Sequence, residues 1–357
     1  MKTKFFAAFV AFAFVLNAFG TAFADTKKAR TARQTNTLAA LLPASDGVLT
    51  LDVKRGLTEA VPQILSAKPQ WITSINSHID EIKTKTGLDL RQFEQVAVGV
   101  SMKQISDKEV DLEPLVLARG KYNPSALIAL AKLASKGKYR EEKVGAKTVY
   151  IFTISEIAEQ NKPASADDST IAPKKDSWFD KAVDRMVNGL LKEVAVTSYD
   201  ANTMAFGTVA RVRETLEGKP RVNAELMNLI NRKPAAIAAF AANLPNGLTN
   251  FIDLDTDDFG ETINSIRQVS GAMELIKGDS AISLTAKTST FEQGKNLNDI
   301  LQTLQGVGKS FLGGAKSADK QVFSRMIENV KITQNQMVVS LDLQVPQTDI
   351  NILLGAK

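Results

Sequence analysis

Apolar residues recur along this chain at two spacings, one typical of strands and one typical of helices. Alternate residues are apolar in 282–287 and 338–345, as in strands that bury one face. Apolar residues return every three or four positions in 71–82 and 291–312, as in amphipathic helices. Because both patterns alternate along the chain, the sequence predicts an α+β fold of antiparallel sheets with helices packed on one face.

The alternating pattern predicts short strands, several of them joined as hairpins. The predicted strands are 48–53, 96–100, 115–121, 139–143, 148–153, 193–199, 203–206, 266–275, 282–286, 330–333 and 337–345. In the last of these, Ser340, Asp342 and Gln344 are expected to face water. The stretch 235–242 fits either a strand or a helix, because alanine favours helices while flanking prolines bound a short piece.

Capping residues and glycines predict where the helices begin and end. The predicted helices are 71–86, 124–136, 209–216, 291–312 and 319–329. Asn123 is expected to cap the second of these, and Gly218 to end the third. Gly306 and Gly308 predict a break near the end of the longest helix, because glycine destabilises a helix interior.

Two parts of the chain share one order of predicted elements: strand, helix, strand, turn, strand. The two parts are 115–153 and 282–345. A duplication explains this order, and so does the small number of ways in which antiparallel units connect. We predict two consecutive α+β units, 38–218 and 219–357, after a basic flexible arm at 25–37.

The N-terminal residues have the pattern of an export signal. Lys2 and Lys4 precede an apolar run at 5–19, and Ala22-Phe23-Ala24 fits a cleavage site. The run is shorter than the about 20 residues that span a bilayer as a helix. We therefore expect residues 1–24 to be removed and the protein to be periplasmic or extracellular, without stable membrane insertion.

Composition narrows the function classes further. The chain has no cysteine, which excludes disulfides and a lipid-anchored cysteine. The net charge of +5 falls to +3 without the signal, which argues against a nucleic-acid partner. Seven of the 17 phenylalanines lie in the signal, so few rings remain for the stacking surfaces that bind sugars or single strands.

The segment 161–192 differs from its surroundings. Residues 161–175 have the composition of a flexible linker, and an amphipathic helix follows, with Ser177 as its predicted cap. This helix could pack on its own unit, act as a mobile flap or partner-docking helix, or lie on a membrane surface. The candidate partner-binding residues are Trp178, Phe179, Val183, Met186 and Leu190.

One acidic loop is a candidate metal site. Asp253, Asp255 and Asp257 supply alternate carboxylates, the hard oxygen ligands that Ca²⁺ prefers. The glycine and bidentate glutamate of a calcium loop are missing, since Asp258 and Asn264 occupy those positions. A calcium loop and a solvated acidic loop therefore both remain open, and no other cofactor is expected.

No catalytic residue is predicted. His78 is the only histidine, and no G-x-S-x-G sequence supplies a nucleophile for it. Residues 306–310 end like a phosphate-binding loop, but Thr303 stands where its first glycine would be. Two carboxylates acting as acid and base leave no sequence signature, so a hydrolase of that kind stays open.

Several short stretches resemble a group of uncharacterised exported bacterial proteins. They are 41–46 (LLPASD), 96–99 (VAVG), 118–122 (ARGKY), 138–142 (KYREE), 149–152 (VYIF) and 295–297 (KNL). The resemblance covers most of the chain after the signal. It implies an architecture and a compartment, and it carries no activity and no site residues.

We therefore expect an exported soluble protein with a non-catalytic binding or structural role in the cell envelope. Its partner would be a protein or a small ligand. Two alternatives remain: a carboxylate-based hydrolase, and an envelope chaperone or carrier that uses the helix 178–191 as a flap. An apolar groove would favour the carrier, convergent carboxylates the hydrolase, and flat polar surfaces the structural role.

Overall fold

The computed structural model describes residues 37–106, 109–153, 193–218, 220–245, 258–314 and 316–355. Within these ranges the chain has the predicted α+β fold. The strands are β1 (Gly47–Asp52), β2 (Phe93–Ser106), β3 (Glu109–Gly120), β4 (Tyr139–Val144), β5 (Lys147–Phe152), β6 (Val194–Ser198), β7 (Thr203–Gly207), β8 (Ala238–Asn243), β9 (Ile266–Ile276), β10 (Asp279–Thr288), β11 (Lys331–Asn335) and β12 (Val338–Val345). The ambiguous stretch 235–242 therefore contains a strand.

The helices are numbered in chain order, and α1 (53–64) includes a π-helical turn at Gly56–Ala60. The others are α2 (Pro69–Thr86), α3 (Pro124–Ala134), α4 (Val209–Glu217), α5 (Ala224–Ile230), α6 (Asp258–Asn264), α7 (Phe291–Leu312), α8 (Ala318–Asn329) and α9 (Gln347–Leu353). Asn123 caps α3, and α4 ends at Gly218, as predicted. The sequence pattern does not predict α1, α5 or α9, and it indicates α6 only as a helix near Phe259.

The described strands form one continuous sheet of twelve strands. Their order across it is β11-β12-β10-β9-β8-β1-β2-β3-β7-β6-β5-β4, and every neighbouring pair is antiparallel. β1 pairs with β2 on one side and with β8 on the other, so backbone hydrogen bonds cross the predicted boundary between the two units. The division into units stays a prediction.

Register partners on neighbouring strands point to the same side, which defines two faces of the sheet. The α5 face carries Val48 and Ala241, and helices α4 and α5 pack on it. The α7 face carries Leu49 and Phe240. Helices α1, α2 and α3 pack on the α7 face of the first half, and α7 and α8 pack on it over β10 and β12.

The strand β1 is buried from both sides. The alternation of its residues predicts one wet face, with Thr50 in water. Thr50 is instead 7% exposed, and its hydroxyl donates a 3.3 Å hydrogen bond to the Ala239 carbonyl. The prediction was wrong because β1 lies inside the sheet with helices over both faces, a long-range arrangement that its own residues do not encode.

The longest helix, α7, is unbroken through Gly306 and Gly308, so the predicted break was wrong. A Cβ atom at position 308 would lie 3.1 Å from Ile327 Cδ1 of α8. This glycine therefore allows two helices to pack closely. The sequence also predicts that the final hairpin turns at Asn335. Asn335 instead belongs to β11, and the turn lies one residue later, at Gln336, which has a left-handed φ of 53°.

The segment before β1 is held by a buried arginine. Arg211 of α4 is 3% exposed, and its Nη2 donates to the Ala44 carbonyl and to Ser45 Oγ, both at 2.7 Å. Arg221 donates to the Leu41 carbonyl. The stretch 41–46, which contributes to the resemblance, therefore has a structural role: it fixes the entry into β1.

We expect Arg211→Met to lower the free energy of unfolding by about 2–3 kcal/mol, because it leaves buried hydrogen-bond acceptors without a donor. Arg213→Met is the matched control on the same helix. Arg213 pairs with Glu142 at the surface, where its side chain is 42% exposed, so its loss should change stability little. Urea unfolding of both variants measures the difference, and equal losses would contradict the structural role of Arg211.

Candidate binding site on the open face of the sheet

The α5 face is open over β10, β12 and β11, where the described helices leave it uncovered, and α5 borders this region along β9. Register places polar side chains from these strands in consecutive rows. The rows are Ser270-Thr285-Ser340-Thr333, then Ala272-Ser283-Asp342-Lys331, then Glu274-Ala281-Gln344. The predicted outward-facing residues of β12 therefore lie on this open face, as expected.

Helix α5 and the turn after it form one wall of a depression on this face, which we call the polar cleft. Two cavities of about 330 and 440 Å³ lie side by side along β10. The residues that define the polar cleft are Glu225, Arg232, Lys233, Gln268, Ser270, Glu274, Ser283, Thr285, Lys287, Lys331 and Asp342.

Local sequence explains how α5 reaches this position. The Asn223 side chain accepts a 2.8 Å hydrogen bond from the Leu226 amide and so starts the helix. Leu226 and Ile230 are fully buried against the sheet. Glu225 lies one residue before Leu226 and is left at the border of the cleft, where it faces Lys287 of β10.

Charges of both signs line the polar cleft, and two pairs cross it. Lys287 Nζ lies 2.7 Å from Glu225 Oε1, and Lys233 Nζ lies 3.5 Å from Glu274 Oε2. The hydrogen bond from Lys287 lowers the pKa of the Glu225 carboxyl, which outweighs the opposing effect of desolvation. Within each of these two pairs, the lysine and the glutamate compensate each other's charge.

Hydroxyl and amide groups form the floor beside these ion pairs. Ser270 Oγ and Thr285 Oγ1 are 2.5 Å apart, and Gln268 donates a 2.9 Å hydrogen bond to Asn243 Oδ1. Ser270 and Gln268 are each only 6% exposed. The partner of each hydroxyl is the other hydroxyl rather than a base, so the arrangement suits hydrogen bonding to a ligand better than nucleophilic attack.

Of the candidate catalytic and metal-binding residues from the sequence analysis, those that the structure describes do not line the polar cleft. His78 is exposed on α2, on the opposite face, with Nδ1 2.7 Å from the Ser74 carbonyl. Among the described side chains, no three of the types His, Asp and Glu are close enough together to hold a metal ion. Asp253, Asp255 and Asp257 lie outside the described residues, so the calcium loop stays a prediction.

The candidate helix 178–191 also lies outside the described residues. Trp178, Phe179, Val183, Met186 and Leu190 therefore stay predicted partner-binding residues. The flap of the carrier alternative stays a prediction with them.

The sequence pattern predicts that the strands lining the cleft have a polar side, but it does not predict the cleft. The alternation in β10 and β12 shows that one side is polar. The alternation in β10 and β12 does not show that α5 lies beside these strands. The sequence of α5 does not show it either, because α5 has only seven residues and no strong periodic pattern. The Asn223 cap followed by Leu226 and Ile230 is the signal that could have found it.

Comparison with known proteins gives no family for this chain. No protein-family model matches it, and no curated protein matches it. Three crystal forms of TP0453 overlap most of the chain at low similarity. Form III has a TM-score of 0.40 and 8% identity, over 89% of this chain and 98% of that one. Form I has 0.40 and 11%, over 90% and 98%, and form IV has 0.41 and 9%, over 88% and 95%.

TM-scores below 0.5 transfer no function to this chain. Among the described helices, none combines the length and apolar character that a bilayer span requires.

Removing Lys287 should raise the pKa of Glu225 toward its ordinary value. In the intact protein the lowered pKa means that this carboxylate stabilises the fold above the unfolded-state pKa, and that this contribution is lost as pH falls through the folded-state pKa. A carbon-detected NMR titration of glutamate carboxyls in Lys287→Ala measures the shift. Lys320→Ala, on α8 at the other face, is the control; identical Glu225 titrations in both variants would contradict the pairing.

Proposed function

We propose that this chain is an exported, non-catalytic binding protein of the cell envelope, and that the polar cleft contacts a protein partner. The observation that carries the proposal is the cleft itself: an open sheet face with paired charges and hydroxyls beneath one short helix. Export is supported by the pattern of residues 1–24, and the compartment is part of the proposal.

The lining chemistry supports a polar protein surface as the ligand. Donors, acceptors and both charge signs occur together, which matches the mixed polar groups of a peptide chain. None of the residues lining the two cavities is aromatic. Stacking surfaces for bases or sugars need such rings, so these ligands fit the cleft less well.

The strand β11, at one edge of the sheet, also supports a protein as the partner. Within the described strands, β11 pairs only with β12, which leaves its outer backbone groups open. A partner strand that pairs with β11 would extend the sheet. Every second side chain of that strand would then lie on the α5 face, beside Lys331 and Thr333. Backbone pairing would supply affinity, and contacts with the cleft would supply specificity.

Site-specific photo-cross-linking in the native envelope tests this proposal. We expect a photoreactive amino acid at Thr333 to give a discrete cross-linked protein. The same amino acid at Thr303, exposed on α7 at the opposite face, is the matched control and should not. With the purified partner, Lys331→Glu should weaken binding about tenfold while Lys320→Glu leaves it unchanged. Equal cross-linking at both positions, or equal affinities, would refute the cleft as the interface.

A further inference from the structure

A second site lies near the other end of the sheet, where one ammonium group lies over two aromatic rings. Lys132 Nζ of α3 is 4.8 Å from the ring centre of Tyr139 and 4.8 Å from that of Tyr150. The same nitrogen lies 2.9 Å from Glu141 Oε1. We call Tyr139, Tyr150 and Glu141 the ammonium cage.

The strand register builds this cage. Glu141 and Tyr150 are register partners on β4 and β5, and so are Tyr139 and Phe152. All four side chains therefore point to the same face, on which α3 carries Lys132. The Phe152 ring is 3% exposed and lies 5.7 Å from the Tyr139 ring. The rings are thus held by strand pairing and by a buried neighbour.

The group inside the cage lies on a longer and more flexible side chain than the two rings, which are fixed by strand pairing. It is the tip of a flexible side chain that is 31% exposed, and the Glu141 side chain is 46% exposed. Hydrogen bonds to Glu141 and to Tyr139 raise the pKa of Lys132, so the group is charged at neutral pH. Rotation about the lysine stem can remove the ammonium without moving the backbone.

We propose that the ammonium cage binds a primary alkylammonium group of an external ligand, which takes the place of the Lys132 side chain. Two ring faces about one cation are an arrangement that recognises organic ammonium groups. The carboxylate adds a hydrogen-bond acceptor that a primary ammonium can use and a quaternary one cannot. Exchange of one cation for another also keeps Glu141 compensated. This site is independent of the polar cleft and of the function proposed for it.

Lys132 acts as a tethered competitor for the cage. A side chain anchored a few ångströms away has an effective concentration in the millimolar range or above. An external alkylammonium must displace it, so the intact protein should bind such a ligand more weakly than a variant with an empty cage. The relative affinity of the two proteins is therefore the measurement that tests the proposal.

Tyrosine-labelled NMR gives a direct readout, because the chain has only four tyrosines. Tyr139 and Tyr150 report on the cage, while Tyr122 and Tyr199 lie elsewhere and serve as internal references. In Lys132→Ala, we expect n-butylammonium to shift the two cage signals saturably and to leave the references in place. The intact protein should need about tenfold more ligand or more. n-Butanol, which has the alkyl chain without the charge, should give no saturable shift.

Matched variants separate binding from structural effects. Lys121→Ala removes an exposed lysine outside the cage and should behave as the intact protein. Lys132→Gln is a second variant that keeps most of the side-chain volume, and unchanged signals of Tyr122 and Tyr199 show that either variant is folded. Adding Glu141→Gln to Lys132→Ala should weaken n-butylammonium binding, because the hydrogen-bonded anion is lost.

Two results would overturn the proposal. The first is the absence of saturable cage shifts in both folded lysine variants, which would mean that the rings only stabilise Lys132. The second is tetramethylammonium binding as tightly as n-butylammonium, which would mean that the hydrogen bond to Glu141 does not select a primary ammonium. The expected order is n-butylammonium first, with tetramethylammonium clearly weaker.

Discussion

The fold depends on the hydrogen bonds that β1 makes along both of its edges. This six-residue strand joins β2 to β8, and it is the place where the early and late parts of the chain meet in one sheet. Its residues are packed from both sides, and its backbone groups pair with β2 along one edge and with β8 along the other. The Arg211 contacts to Ala44 and Ser45 fix the segment that leads into it.

The two short helices α4 and α5 do not cover the whole α5 face of the continuous sheet. Helices α4 and α5 protect the α5 face near β1, while no described helix covers the same face over β10 and β12. The strands there tolerate water because every second residue is polar, as in Ser283 and Asp342. A helix that stops partway across a sheet leaves a step, and the polar cleft is that step. The polar lining of the cleft therefore depends on which strands lie beyond the end of α5.

The sequence predicts local elements of this protein far better than their arrangement. The bounds of α7 follow from the spacing of its apolar residues and from its caps, and the wet side of β12 follows from alternation. The burial of Thr50 does not follow, because it depends on helices far away in sequence. Gly308 is a second example. Glycine alone predicts a weak point in a helix, and only the close packing of Ile327 against this position explains why glycine lies there. The polar cleft needs the register of four strands and the position of α5, so residue types alone could not reveal it.

The two sites share one physical logic despite their different chemistry. In the polar cleft, Lys287 is already paired with Glu225, and in the ammonium cage, Lys132 is already paired with Glu141. Each of these two glutamates thus has a cationic partner within the protein before any ligand binds. At the proposed ammonium cage, a ligand that displaces Lys132 must supply a cation in its place. Affinity is reduced by that exchange, but selectivity is gained, because a neutral competitor would leave a glutamate without its cation.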